Sequence, residues 1–485
     1  MNNKLAGIHF LLFTFTVFFG LPGRAQTVTL QEVLSMAKEQ SPAALQAKKA
    51  FEYSEWSYKA YRAGNLPQVN LGGTLPDLNR SITSITQNDG TDVFRRRSQA
   101  TSSMNLSLDQ QIAPTGTRVF VGSQLDRIDV INDSTVTSYL ANPVTIGFTQ
   151  PLMGFNSRRW DNRIEPLRYA IAKQSYLSAM EDISATACRL FFNLLMAEVS
   201  LQTAQANKGS NDTLFRISQG RYQLGKIAEN DLLQMQLNVM KSQNEVAQTE
   251  LDVVSTNAQL RAYLGLAGDE VMQLAIPTDV PLMEVDENKA RDLARQNNSE
   301  RSSLELEALQ AERSLAQVKG NNGFSGNLTA SYGLVQSAGD LEGVYANPLD
   351  QQRLQLGISV PLLDWGQGRS RIKAAEALEE QVRSRTTQEI DGIDRNIGIL
   401  VRQLKVNREN LDLTSKADSI ASRSHEVTVQ RYLIGRISIT DLNIALSEKD
   451  RARKAYIGSL EAYWLSLYAL RKVTLFDFEK GVAIE

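Results

Sequence analysis

Hydrophobic positions in this chain follow two periods. Between Asn156 and about Tyr222, Met180, Ile183, Ala187, Leu190, Leu194, Ala197 and Leu201 recur in alternating steps of three and four, the seam of a heptad repeat. Ile390, Ile397, Leu404 and Leu411 recur later at seven-residue intervals. The spacing predicts two long coiled-coil helices, and about 67 residues rising 1.5 Å each make a rod of roughly 100 Å. Four stretches about half as long, near 29–62, 229–264, 286–319 and 439–474, carry helical patterning too. Stacked end to end in pairs they match one long helix, as the wall of a tube requires; an ordinary bundle of unequal helices carries the same patterning.

The second period is two. Val69, Leu71 and Leu75 alternate with polar or small residues, as do Val144, Ile146 and Phe148, then Leu328, Ala330, Tyr332 and Leu334, then Leu354, Leu356, Ile358 and Val360. Each predicts a strand with one apolar face, which a half-buried soluble sheet or a lipid-facing barrel both produce. Aromatic Phe155, Trp160 and Trp365 near the strand ends suit the interfacial girdle of an outer-membrane barrel. Four strands are too few to close one, so closure needs several chains related by cyclic symmetry. Further strand-like runs at 104–108 and 118–124, joined by Pro114-Thr115-Gly116, make either an extracellular hairpin or two more barrel strands.

Helices and strands belong to a duplication. Residues 144–232 recur 210 positions further on without net insertion: Gly147, Pro151-Leu152 and Phe155 return as Gly357, Pro361-Leu362 and Trp365. Arg221-Tyr222-Gln223-Leu224-Gly225-Lys226-Ile227, ending in Asp231-Leu232, returns as Arg431-Tyr432-Leu433-Ile434-Gly435-Arg436-Ile437, ending in Asp441-Leu442. A fixed length between two anchors suits a rod and not a variable loop. The domain reading is a first repeat over 26–264, a connection over 265–285, a second repeat over 286–474 and a tail over 475–485. Gly225 and Gly435, costly inside a helix by about 1 kcal/mol relative to alanine, mark the turns where each long helix reverses. Asp231 and Asp441 then fall in the first turn of the returning helices, where a carboxylate meets the positive helix end; simple capping accounts for them as well as a functional role does.

Composition narrows the setting. Residues 1–25 read as a secretory signal, with Lys4 as the positive region, Ile8 to Leu21 as the apolar stretch and Gly23-Arg24-Ala25 as the cleavage site. That stretch is short for a spanning helix, which needs about 20 residues, and no cysteine stands near the cleavage site to take an acyl anchor. Cleavage removes two of the 52 basic residues and none of the 54 acidic ones. The mildly acidic remainder has no basic block for nucleic acid. Cys188, the single cysteine, cannot form an internal disulfide and reads as a small packed side chain. With His9 lost alongside the signal, His425 is the one histidine left, and it reads as a solvated surface residue. No metal signature, phosphate loop or nucleophile elbow is present, and acid pairs such as Glu379-Glu380 read as solvated helical surface. No cofactor and no enzymatic activity are expected.

The chain resembles the TolC-like outer membrane efflux channel family. The resemblance runs from Val28-Thr29-Leu30-Gln31-Glu32-Val33-Leu34 to about Thr474, and its motifs are that helix start, the strand exits Gln150-Pro151-Leu152 and Val360-Pro361-Leu362, and the two Tyr-x-x-Gly-x-x-x-x-x-Asp motifs. It implies a mainly α fold with membrane β: a homotrimeric β-barrel in outer-membrane lipid, continued by an α-helical coiled-coil barrel through the periplasm. It also implies a periplasmic adaptor (membrane fusion) protein linking the duct to an inner-membrane pump, for tripartite efflux or type I secretion. Carried over by position, Arg221, Tyr222, Gly225, Arg431 and Gly435 form the entrance tips, Tyr432 and Asp231 share a gate-holding hydrogen bond, and Asp441 contributes to a carboxylate ring that attracts cations. Ile437 and Ile444 stand where the family pattern has a gate arginine and a second entrance aspartate. The competing non-enzymatic reading is a periplasmic coiled-coil scaffold or adaptor with no pore. A passive porin shares the barrel but leaves the long helices without a purpose. The transported substrate is not legible.

Overall fold

The computed structural model describes residues 27–131, 134–281 and 283–485, apart from the side chain of Arg95. The signal segment expected at 1–25 lies outside the described residues. In chain order the elements are α1 (Leu30–Gln40), α2 (Pro42–Ala63), β1 (Gln68–Thr86), β2 (Asp92–Ile112), β3 (Thr117–Ile131), β4 (Thr135–Met153), α3 (Ser157–Gln223) and α4 (Glu229–Leu264). There follow α5 (Glu287–Asn297), α6 (Ser299–Asn321), β5 (Ser325–Ala338), β6 (Leu349–Ser359), α7 (Gln367–Leu433), α8 (Ile439–Thr474) and a tail hairpin of β7 (Phe476–Asp477) and β8 (Val482–Ala483). The two long helices have 67 residues each and the two returning helices 36 each. Every boundary of the first pair maps onto the second by the same 210-residue shift found in the sequence.

Two of the expected half-length helices are each broken in two. Pro42 opens α2; without an N–H, and with its ring against the preceding turn, it cannot continue α1. The second break falls at Asn298, whose side chain accepts from the Arg301 amide and starts α6 afresh. The family-like start at Val28 has a local cause too. Thr29 and Glu32 form a capping box, each side chain bonded to the other's backbone N–H.

Contacts divide the described chain into two compact units, and each repeat contributes to both. The first unit holds the residues up to Pro42, Ser184–Pro281 and Asn410–Leu465. Its core draws on Phe191, Phe192, Leu194 and Leu195 of α3 with Leu460 and Tyr463 of α8, all at most 1% exposed. The most apolar stretch of α3 is long and hydrophobic enough to cross a membrane by composition, yet more than half of it is buried inside the protein, so it reads as core. Cys188 is buried there, and desolvation pushes its thiol well above the usual range. His425 is half-buried, not solvated as its polar setting suggested, and burial beside Lys449 lowers its pKa. Val28 bridges to Leu274 in parallel, tying the start of the chain to the inter-repeat connection.

The second unit comprises Ala43–Ile183, Leu282–Glu409 and Ser466–Glu485. It holds a six-stranded antiparallel sheet in the order β1-β2-β3-β4-β5-β6. The runs at 104–108 and 118–124 lie in β2 and β3, paired on both sides, so they are sheet strands and not a separate excursion. Register carries one apolar row across four strands through the pairs Val119–Phe148, Phe148–Ala330 and Ala330–Leu354. The apolar face is bare: Leu71, Ile146 and Leu354 are 69%, 53% and 78% exposed. Among the described residues, the outer edges of β1 and β6 have no partner strand. Helix α2 lies on α3 through stacked rings, Phe51 on Tyr176 at 5.3 Å and Tyr58 on Tyr169 at 4.8 Å between centroids. Asn156 fixes the strand-to-helix exit: its Nδ2 donates to the Ala113 carbonyl at 2.9 Å while its Oδ1 accepts from the Arg159 amide at 3.2 Å. At the exits, Pro151 stays in β4 opposite Asn327, whereas Pro361 and Leu362 follow β6, and Leu362 and Trp365 are 93% and 90% exposed. In the same unit, Arg471 is held between Glu181 at 2.8 Å and Asp477 at 3.0 Å, with the Glu181 side chain fully buried.

Candidate gate at the helical tips

Both helical hairpins turn as the duplicated motif predicts. Gly225 has φ 66° and Gly435 φ 76°, a left-handed conformation that penalises any residue with a Cβ. The next amide reaches back in each case, Lys226 to the Arg221 carbonyl at 2.8 Å and Arg436 to the Arg431 carbonyl at 3.0 Å. These are Schellman closures, which satisfy carbonyls the helix end leaves open.

The returning helices start differently. In the second copy Ser438 and Asp441 form a capping box: the carboxylate accepts from the Ser438 amide at 3.1 Å and hydroxyl at 2.8 Å, and the hydroxyl accepts from the Asp441 amide at 3.2 Å. The Ser438 hydrogen bonds hold the Asp441 carboxyl below the usual carboxylate range. In the first copy Ala228 stands at the Ser438 position and supplies no side-chain cap. The carboxylate expected to form a cation-attracting ring is therefore engaged in capping its own helix. Among the described residues no group of three His, Cys, Asp or Glu side chains is placed to hold a metal ion.

Among the described residues of this single chain, Tyr432 and Asp231 share no hydrogen bond. The Tyr432 hydroxyl, on a side chain only 6% exposed, instead meets the hydroxyl of the fully buried Ser218 at 3.2 Å. The physical reason is packing: Tyr432 is folded inward with Leu214, Met235, Ile439 and Leu442, and Ser218 is the polar group that this cluster presents to it. Arg221 completes the contact. Its Nη2 donates to the Leu433 carbonyl at 2.6 Å and its Nη1 to the Tyr432 carbonyl at 3.4 Å, with the guanidinium 5.6 Å from the Tyr432 ring. A cation on the closing carbonyls of α7 meets the negative helix end and the ring face together.

Ser218 is a site residue that sequence reasoning passed over, although a signal was present. Its counterpart 210 positions on is Thr428, so both copies carry a hydroxyl three residues before the Arg-Tyr pair. Ile437, in the place of a gate arginine, packs part-buried against the same cluster, and Ile444, in the place of a second aspartate, is 57% exposed. Arg431, Ile437 and Asp441 line an open groove between α7 and α8, which continues past Ile420 and Ile444.

The duplicated strand-and-helix units and the paired hairpin tips match what known proteins display. The family model for outer membrane efflux protein matches residues 120–266 and 291–474, and the chain belongs to that family. No curated protein sequence matches it. Among solved structures, the CmeC outer membrane channel of Campylobacter jejuni is similar with a TM-score of 0.65 and 15% identity, covering 94% of this chain and 86% of that one. The outer membrane protein VceC of Vibrio cholerae gives 0.64 and 14% over 94% and 97%. The open state of the MtrE outer membrane channel of Neisseria gonorrhoeae gives 0.57 and 14% over 94% and 90%. The fold is that of the TolC-like channels, and the protein is an outer-membrane exit duct for efflux.

Proposed function

We propose that this duct works as a homotrimer, taking its substrate from a periplasmic adaptor joined to an inner-membrane pump, in tripartite efflux or type I secretion. The observation that carries this reading is the six-stranded sheet. Its apolar face is bare and, among the described residues of one chain, its two edges are open, a state lipid does not tolerate because unpaired backbone groups there find no water. Copies arranged in a ring close the edges, and α3 and α7, 67 residues each, supply the wall of a periplasmic helical barrel.

At the tips, the gate in this reading is held by Tyr432 with Ser218 and Arg221, while Asp441 sets the start of α8 and Asp231 stands outside the contact. Single-channel recording in planar bilayers tests this assignment. Tyr432→Phe should raise conductance and Asp231→Ala should leave it unchanged; the reverse pattern returns the gate to Asp231. Imaging of detergent-extracted protein from the outer-membrane fraction tests the assembly. A threefold hollow tube is expected. A solid particle released without detergent would overturn the assembly and leave a periplasmic scaffold.

A further inference from the structure

The 210-residue repeat pairs each tip residue with a counterpart, and the two halves of that pairing are not equally satisfied. Tyr432 is 6% exposed in a pocket formed by Leu214, Ser218 and Met235, whereas its counterpart Tyr222 is 41% exposed. The counterparts of the receiving residues are Ser424, Thr428 and Ala445. All three line the open groove between α7 and α8. The chain thus carries one filled socket, one empty socket built from the same positions, and one unseated tyrosine.

We propose that Tyr222 of one protomer seats in the α7/α8 groove of the next, its hydroxyl bonded to Thr428 as Tyr432 is bonded to Ser218 within the chain. The inference rests on the homotrimer proposed above and names the surface by which its tips join. Arg431, the counterpart of Arg221, then reaches the Tyr222 and Gln223 carbonyls that close α3 in the neighbouring copy.

Complementarity along the two seams supports the same occupant. Within the chain the hairpins meet through polar pairs, Asn207 to Asp450 at 2.8 Å and Asn238 to Asn443 at 3.1 Å. The counterparts of Asn207 and Asp450 are Ala417, in the groove, and Met240, 61% exposed; those of Asn443 and Asn238 are Leu233, 55% exposed, and Glu448, which lies in the groove paired with Arg451 at 2.8 Å. The exposed Leu233 and Met240 on α4 therefore answer the apolar part of the groove, where Ile420 and Ile444 are 70% and 57% exposed between the charged Arg431, Asp441 and Glu448. Burying ridge and groove against each other removes both from water.

The test uses full-length protein in outer-membrane vesicles with Cys188→Ala as background. Tyr222→Cys and Thr428→Cys are combined in one chain and treated with a short bis-maleimide. Dimer and trimer bands on denaturing gels are expected from the double variant and only monomer from either single. Light scattering of the untreated variant in detergent separates the two readings. A trimer that gives no ladder, or whose Thr428→Cys reacts freely with a bulky maleimide, overturns this contact and assigns the groove to another partner, while the homotrimer stands. A monomer overturns the homotrimer and this contact together. As a check independent of cysteine packing, Met240→Asp should raise single-channel conductance severalfold, and unchanged conductance in a trimer would overturn the seam.

Discussion

Tyr432, Ser218 and Arg221 show that a hydrogen bond moves to the nearest group that burial leaves without water. Removing only the tyrosine hydroxyl strands the fully buried Ser218 oxygen, a cost of about 1–3 kcal/mol. Tyr432→Phe should therefore speed hydrogen exchange of the amides around 212–223 and 426–433, and adding Ser218→Ala should slow it again, since loss of both partners is nearly neutral. Arg471 presents a harsher case. It offsets the buried charge of Glu181, so Arg471→Ala should destabilise the fold by about 3–5 kcal/mol, read as a lowered denaturation midpoint. Glu198 supplies a pH signature: burial raises its pKa to about 6, against a Leu274 amide bond that lowers it. The folded state then holds more protons than the unfolded one between the ordinary carboxylate value and about 6, so this group's contribution to stability falls as pH rises through that window. Melting of Glu198→Gln should show a shallower decline there than the wild type.

At the scale of elements, the lengths of the long helices are legible in the sequence. The heptad seams and the fixed spacing between anchors gave two rods of about the right length, because a helix of set length is the one way to keep two anchors in step. The glycine turns were equally legible, since only the left-handed conformation makes glycine preferable to alanine there. Gly225→Ala or Gly435→Ala should each cost about 1–2 kcal/mol from backbone strain alone, because nothing lies near the added carbon; a circular-dichroism melt of the isolated variant checks this. What stayed hidden was partner choice. Breaks at Pro42 and Asn298 are local chemistry that helical periodicity overrode, and the gate bond to Ser218 depends on which face of α7 turns inward. Whether 104–124 joined the sheet depended on register with β1 and β4, a long-range property that alternation within each run does not contain.

At the scale of the molecule, the repeat explains how one chain carries two hairpins with the same turn and different caps. In the homotrimer proposed above, three copies of a six-stranded sheet supply eighteen strands, a number that in other barrels leaves an aqueous channel. A cross-section through the membrane part of the assembly should count eighteen, and a count of twelve would place β2 and β3 outside the wall. An arginine at Ile146 or Leu71 should cost about 2–4 kcal/mol at the bilayer midplane, visible as poor recovery of folded protein from membranes.

The two bare edges, β1 and β6, also govern how the protein comes into being. If the duct is the homotrimer proposed above, a protomer alone in the bilayer leaves two rows of amides and carbonyls unmet, and has no resting place there until its neighbours arrive. Insertion and subunit encounter must be one event, and its rate must climb more steeply than in proportion to the amount of chain. The same edges, waiting in the periplasm, are templates for any other extended segment. In the proposed homotrimer, what finally seals these edges is more of the same chain.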